Sequence, residues 1–86
     1  MESVLYYVFV LKAQNAIKAG ENMAISIKAA RVNAGYTQTE VAEYVKKTKN
    51  TIASYEAYTT TPDINTAKAM AELFRMSVDD IIWSHD

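Results

Sequence analysis

The stretch TQTEVAEYVKKTKNTIASYE, residues 37–56, predicts two short helices with almost no chain between them. Thr37 followed three residues later by Glu40 has the pattern of a capping box, which marks the start of a helix. Thr48 is a second good N-cap, so the first helix must end just before it and the second covers residues 49–56. Because helices this short are not stable alone in water, the two must pack on each other.

Apolar residues of the stretch have the sizes that such packing requires. Small Ala42 falls where the two helices approach most closely, and the larger Val41, Val45, Ile52 and Tyr55 fill the wedge between them. Two helices that cross steeply through a turn of a few residues have helix-turn-helix geometry. We therefore interpret them as helices two and three of a larger helical domain.

A first helix is predicted between Ala24 and Gly35. Ile25, Ala29 and Val32 recur at helical spacing and would form one apolar side. Gly35 follows as a natural left-handed C-terminal cap.

The second half of the chain predicts two further helices after a Pro-containing loop. Asp63 can cap helix four, in which apolar residues recur at helical spacing: Ile64, Ala67, Met70, Ala71, Leu73 and Phe74. Residues 77–80 resemble another capping box, which would open a short helix through Ile81, Ile82 and Trp83. The predicted fold class is all-α, with five short helices.

Composition restricts the classes of function. The chain has 86 residues, enough for one core, and half of them are apolar. It has no Cys, and its one His is His85, a poor ligand or base so near the end. The two glycines are isolated, and the paired carboxylates lie where helix dipoles favour acids. We therefore expect no enzyme activity, no cofactor, no catalytic residues and no metal site.

Charge is distributed unevenly around the net value of −1. Residues 24–56 have five basic and three acidic side chains, a charge of +2. Residues 57–86 have two basic and five acidic side chains, a charge of −3. The chain therefore has a basic middle and an acidic end, and three of its nine basic residues, Lys46, Lys47 and Lys49, lie in and just after the predicted turn.

From about Ile25 to Trp83 the chain resembles the lambda-repressor-like (Cro-type) helix-turn-helix family. The specific matches, in order and spacing, are Gln38, Ala42, Ile52 and the pair Tyr55–Glu56. The resemblance implies a lambda-repressor-like DNA-binding domain with the helix-turn-helix at helices two and three.

Two lysines depart from the family pattern. Lys46 occupies a turn position that the family often fills with Gly, because the backbone there tends toward positive φ. Lys47 follows where the family usually has an apolar residue. Both could simply be solvated on an exposed turn, and both could also contact phosphates.

The resemblance implies sequence-specific binding of double-stranded DNA, most simply as a bacterial or phage repressor. Because one small domain presents a small interface, we expect a homodimer that binds two half-sites. Four residues point outward from helix three and would read bases in the major groove: Lys49, Asn50, Ala53 and Ser54. The expected backbone contacts are Gln38, Lys46, Lys47, Thr48, Thr59 and Thr60. Trp83 and Ile82 are the candidate dimer contacts.

An alternative from the same family is a module that binds a protein partner, such as an antitoxin or antirepressor. The lysines of the turn and the acidic C-terminal half leave this alternative open.

The N-terminal residues 1–22 lie outside the resemblance, which divides the chain into this extension and a helix-turn-helix domain of residues 23–86. Val4–Leu11 is an apolar run too short to span a membrane, and it has no signal-peptide pattern, so we expect a cytoplasmic protein. Gly20–Glu21 can be encoded by a purine-rich ribosome-binding sequence. This leads to the hypothesis that Met23 is a natural start.

Overall fold

Four α-helices and a short two-stranded sheet make up the part of the protein that the computed structural model describes, residues 24–85. The elements in chain order are β1 (Ile25–Ser26), α1 (Ile27–Ala34), α2 (Gln38–Val45), α3 (Lys49–Glu56), α4 (Ile64–Phe74), a 3₁₀ turn (Val78–Asp80) and β2 (Ile81–Ile82). The predictions for residues 1–22 lie outside the described residues. Within these, no helix is long and apolar enough to cross a membrane.

Each helix begins at a side chain that accepts a hydrogen bond from a free backbone N–H of the first turn. The predicted caps Thr37, Thr48 and Asp63 are confirmed. At α2 the capping box is complete, since Glu40 also accepts from the Thr37 amide at 2.9 Å. The predicted start of the first helix at Ala24 is wrong, because Ser26 is its cap and residues 25–26 are extended.

Each helix is also followed by one residue in the left-handed conformation, directly after the last helical residue in α1, α2 and α4 and after Ala57 in α3. Its N–H donates to the carbonyl three residues earlier, and the next N–H donates to the carbonyl five residues earlier. This is the Schellman motif, which satisfies the last free carbonyls of a helix. The left-handed residues are Gly35, Lys46, Tyr58 and Arg75, with φ of 87°, 59°, 60° and 59°. Only the first of these is glycine, so three of the four ends carry side chains that disfavour this conformation.

The core lies where all four helices meet. Its fully buried large side chains come one from each helix: Ile27, Val41, Ile52 and Met70. Two apolar residues predicted to face inward are instead exposed, Val32 by 55% and Ile64 by 60%. Since α1 starts at Ile27, its buried face contains Ile27 and Ala30, and Val32 points away from it.

The chain ends differently from the prediction of a fifth helix, which is wrong. Ser77 accepts a hydrogen bond from the Asp79 amide and starts only a 3₁₀ turn. Ile81 then pairs in parallel with Ile25, and Ile82 with Ser26. Two β-branched residues thus satisfy their backbone against a strand far away in the sequence, which a capping pattern cannot reveal. Ile81 itself is buried, whereas Ile82 is exposed.

Candidate nucleic-acid interface

The α2–α3 unit is held together by the predicted contacts. Val41, Ala42, Ile52 and Tyr55 are all buried in one cluster, and half-buried Val45 packs against it. Three residues, 46–48, connect the two helices. The helix-turn-helix geometry predicted from the sequence is therefore present, with α3 wedged against the core by its inner face.

Lys46 ends α2 with φ 59° and ψ 45°. The positive φ that the family pattern suggested is therefore present, although the residue is a lysine. We take its cost at about 1 kcal/mol relative to glycine. No hydrogen-bond partner of its side chain occurs within residues 24–85, so the ammonium group is free to meet an anion.

Lys47 and Lys49 are also exposed, on either side of the cap of α3. Thr48 caps that helix through its hydroxyl, which receives the Thr51 amide at 3.1 Å and lies 2.9 Å from the Thr51 hydroxyl. The structural role of Thr48 therefore comes first. Hydrogen bonding to Thr66 is the main cause that lowers the pKa of Asp63, the cap of α4, and the positive charge of Lys47 adds to it.

On the outer face of α3, solvent exposure decreases from the N-terminal end toward the next turn. Lys49 and Asn50, at the N-terminal end, are exposed, whereas Ala53 and Ser54, one turn later, are half-buried. A helix N-terminus with exposed long side chains can enter a major groove, and smaller residues behind it allow close approach. These four predicted base-reading residues therefore share one face, although their base contacts stay a prediction.

Arg31, Glu56 and Gln38 form a network that the sequence did not reveal. Arg31 in α1 makes an ion pair with Glu56 at the end of α3, and the two side chains are only 11% and 5% exposed. Arg31 also donates to the Tyr36 carbonyl at 2.7 Å. Gln38, the first residue of α2, donates to Oε1 of Glu56 at 3.0 Å, an oxygen that also accepts from Nη2 of Arg31 at 3.3 Å.

This network fixes the angle of α3, because it joins three helices at its C-terminal end. The network also holds the side-chain amide of Gln38, the predicted phosphate donor, against the carboxylate of Glu56. One N–H of its amide is used by Glu56, and an amide nitrogen has a second that remains available to a phosphate. In the sequence, the family match at Tyr55–Glu56 singled out Glu56. No local pattern indicated that Arg31 would be the ion-pair partner of Glu56.

Thr59 and Thr60, the predicted contacts to the DNA backbone, are both exposed in the loop after α3. Exposure is what a contact to phosphates requires. The amide of Thr59 donates to the Ser54 carbonyl at 2.9 Å, which ties the loop to the last turn of α3. Their hydroxyls have no hydrogen-bond partner within the described residues.

The two predicted dimer contacts differ. Trp83 is half-buried against the core, and its indole N–H donates to the Val78 carbonyl at 2.9 Å. Ile82, in β2, is 39% exposed. Ile82 therefore offers the larger free apolar fraction, and Trp83 mainly closes the core.

Within residues 24–85, no group of three or more His, Cys, Asp or Glu side chains could hold a metal ion. The described part of the chain is a helix-turn-helix domain with an exposed, lysine-bordered helix. The family model described as helix-turn-helix matches residues 27–81, about two thirds of the chain. The chain belongs to this lambda-repressor-like helix-turn-helix family, whose members are DNA-binding regulators and generally not enzymes.

One curated relative gives a more specific comparison. The chain is 36% identical over 56 residues to the HTH-type transcriptional regulator ImmR of Bacillus subtilis (strain 168). The matched part covers 65% of this chain and 44% of that regulator. The chain thus spans less than half the length of this relative. No solved structure matches the chain.

Proposed function

We propose that the protein is a transcriptional regulator that reads an operator in duplex DNA through the major groove with α3. The observation that carries the proposal is the exposure of Lys49 and Asn50 at the N-terminal end of a helix whose opposite face is buried. Lysine can donate to the acceptors of guanine, and asparagine can pair with adenine. Ala53 and Ser54 are small enough to admit the base edges.

Binding to the backbone would come from both ends of α3. At its start, Lys46 and Lys47 flank the groove with two positive charges, and the capping residue Thr48 lies between them and the helix. At its end, Thr59 and Thr60 offer neutral hydroxyl donors. Since each neutralised phosphate releases counterions, affinity should fall steeply as the salt concentration rises.

Action as a homodimer completes the proposal. One small domain buries too little surface for specific binding at physiological salt, and two copies on two half-sites overcome this limit. Ile82 and Trp83 are the proposed contacts. The relative from Bacillus subtilis is named as a transcriptional regulator, which supports regulation of transcription as the role. Repression in a bacterium or phage and a cytoplasmic location are the further parts of the proposal.

The test is selection of bound duplexes from a random pool, at moderate and at low salt. We expect enrichment of a two-fold-related site with half-sites about one helical turn apart. A single half-site would contradict the dimer. Failure to enrich any sequence at either salt would contradict DNA reading, and would favour the alternative, a module that binds a protein partner in the manner of an antitoxin or antirepressor.

A further inference from the structure

Tyr58 is the left-handed residue that ends α3, with φ 60°. A bulky residue in this conformation is uncommon and is held there by its surroundings. Lys46 and Arg75 adopt the same conformation, yet both are exposed and their side chains have no hydrogen-bond partner within residues 24–85. Tyr58 differs from them because its side chain is engaged at three points.

The tyrosine hydroxyl joins strand β2 to the start of α1. It donates to the Ile82 carbonyl at 2.8 Å and accepts from the Ile27 amide at 3.4 Å. Its ring stacks on that of His85, with centroids 4.0 Å apart and planes at 26°. The C-terminal segment and the start of α1 thereby hold the residue at which the chain leaves α3.

The next two residues of the chain are Thr59 and Thr60. Their amides both approach the Ser54 carbonyl, at 2.9 and 3.5 Å, so the course of the loop depends directly on the backbone of Tyr58. Both threonine side chains project from this loop into solvent. Any change that lets Tyr58 rotate would move these two hydroxyls relative to the outer face of α3.

We propose that Tyr58 is a positioning residue for DNA binding, which orients Thr59 and Thr60 toward the phosphate backbone. This inference rests on the proposed function. Its consequence is that the C-terminal segment controls affinity for the duplex without touching it, because the carbonyl of Ile82 is the anchor of the tyrosine. Sequence preference, which depends on the other end of α3, is independent of this anchor.

The experiment measures duplex affinity in a double-mutant cycle. Tyr58→Phe removes the hydroxyl and keeps the ring, and Thr59→Ala with Thr60→Ala removes the proposed contacts. We expect Tyr58→Phe to weaken binding by about three- to tenfold per half-site, the effect of losing one or two neutral hydrogen bonds. In the background of the two alanines, Tyr58→Phe should have no further effect. The ranking of mismatched duplexes should not change.

Tyr44→Phe is the matched control, because Tyr44 also bonds through its hydroxyl, to Glu72 at 3.5 Å, on another part of the surface. It should leave affinity unchanged. All variants are compared at a temperature at which circular dichroism shows them folded. If Tyr58→Phe weakens binding equally with and without the threonines, or not at all, the inference is overturned while the proposed function stands. If the unmutated protein binds no duplex, both are overturned.

Discussion

Arg31 in the first helix and Glu56 at the last residue of α3 form a nearly buried ion pair across 25 residues of sequence. Each residue of the pair has one further hydrogen-bond partner within residues 24–85. Arg31 also donates to the Tyr36 carbonyl, and the Glu56 carboxylate also accepts from the amide of Gln38. The orientation of α3 against the rest of the domain therefore depends on a nearly buried carboxylate.

Removing one partner of this pair should destabilise the domain strongly. Arg31→Met leaves the Glu56 carboxylate buried with Gln38 alone, and we expect a loss of about 3 kcal/mol in the free energy of unfolding. Glu56→Gln should cost less, because an amide can still accept from Arg31. Urea unfolding followed by circular dichroism measures both. Glu43→Gln, at an exposed acid of α2, is the control and should change stability by no more than about 0.5 kcal/mol. An equal, small effect of all three variants would contradict the structural role of the pair.

Lys46, the left-handed residue of the turn, should affect stability and DNA binding in opposite directions. Lys46→Gly should stabilise the domain by about 0.5–1 kcal/mol, since glycine accepts φ 59° without strain. If Lys46 binds a phosphate, the same variant should weaken duplex binding. It should also lower the slope of log affinity against log salt by about 0.9 for each phosphate that the protein no longer neutralises.

Arg75→Gly is the matched control for Lys46→Gly, because Arg75 has the same backbone conformation, at the end of α4. It should give a similar stabilisation and leave the salt slope unchanged. A salt slope that falls equally in both variants would mean that Lys46 acts only through the net charge of the protein.

The two exposed residues that begin the outer face of α3 should determine sequence preference. Lys49→Ala and Asn50→Ala should each relax discrimination at one base pair by about 1–3 kcal/mol, while stability changes little because both side chains are exposed. Competition of single-base variants of the selected site measures the effect. Lys28→Ala, at an exposed lysine of α1, is the control for loss of charge. Unchanged preference in both α3 variants would show that other residues read the bases.

The carboxyl of Asp63, which caps α4, should make stability depend on pH. Hydrogen bonding to Thr66 is the main reason that the pKa of Asp63 lies below the ordinary 3.8, and the charge of Lys47 contributes. Because the folded state lowers this pKa, the stabilisation is complete above pH 3.8 and is lost as the pH falls through the lower pKa of the folded state.

Asp63→Asn tests this dependence, since asparagine also caps helices but does not titrate. The difference in unfolding free energy between the parent and this variant should be constant above pH 3.8 and should shrink below it. Other carboxylates cancel in the difference. A difference that stays constant down to the lowest pH at which the protein folds would contradict the lowered pKa.

Features that depend on residues three or four apart were predictable from the sequence. The caps at Thr37, Thr48 and Asp63, the limits of α2 and α3, and the inward positions of the helix-turn-helix all follow from such local patterns. The family pattern also indicated positive φ at Lys46. The exposed face of α3 followed from the same helical spacing, since the buried positions leave only one side free.

Only the tertiary structure decided the features that join distant parts of the chain. The helical spacing around Val32 fitted an apolar face, but the helix begins after Ser26 and packs on the core through Ile27 and Ala30, which leaves Val32 exposed. Ile81 and Ile82 form a strand because the extended backbone of Ile25 lies within reach. The Arg31–Glu56 pair and the Tyr58 anchor likewise exist only once the helices have packed. Local hydrogen bonds are determined by sequence spacing, whereas burial and long-range pairing depend on which surfaces the folded chain brings together.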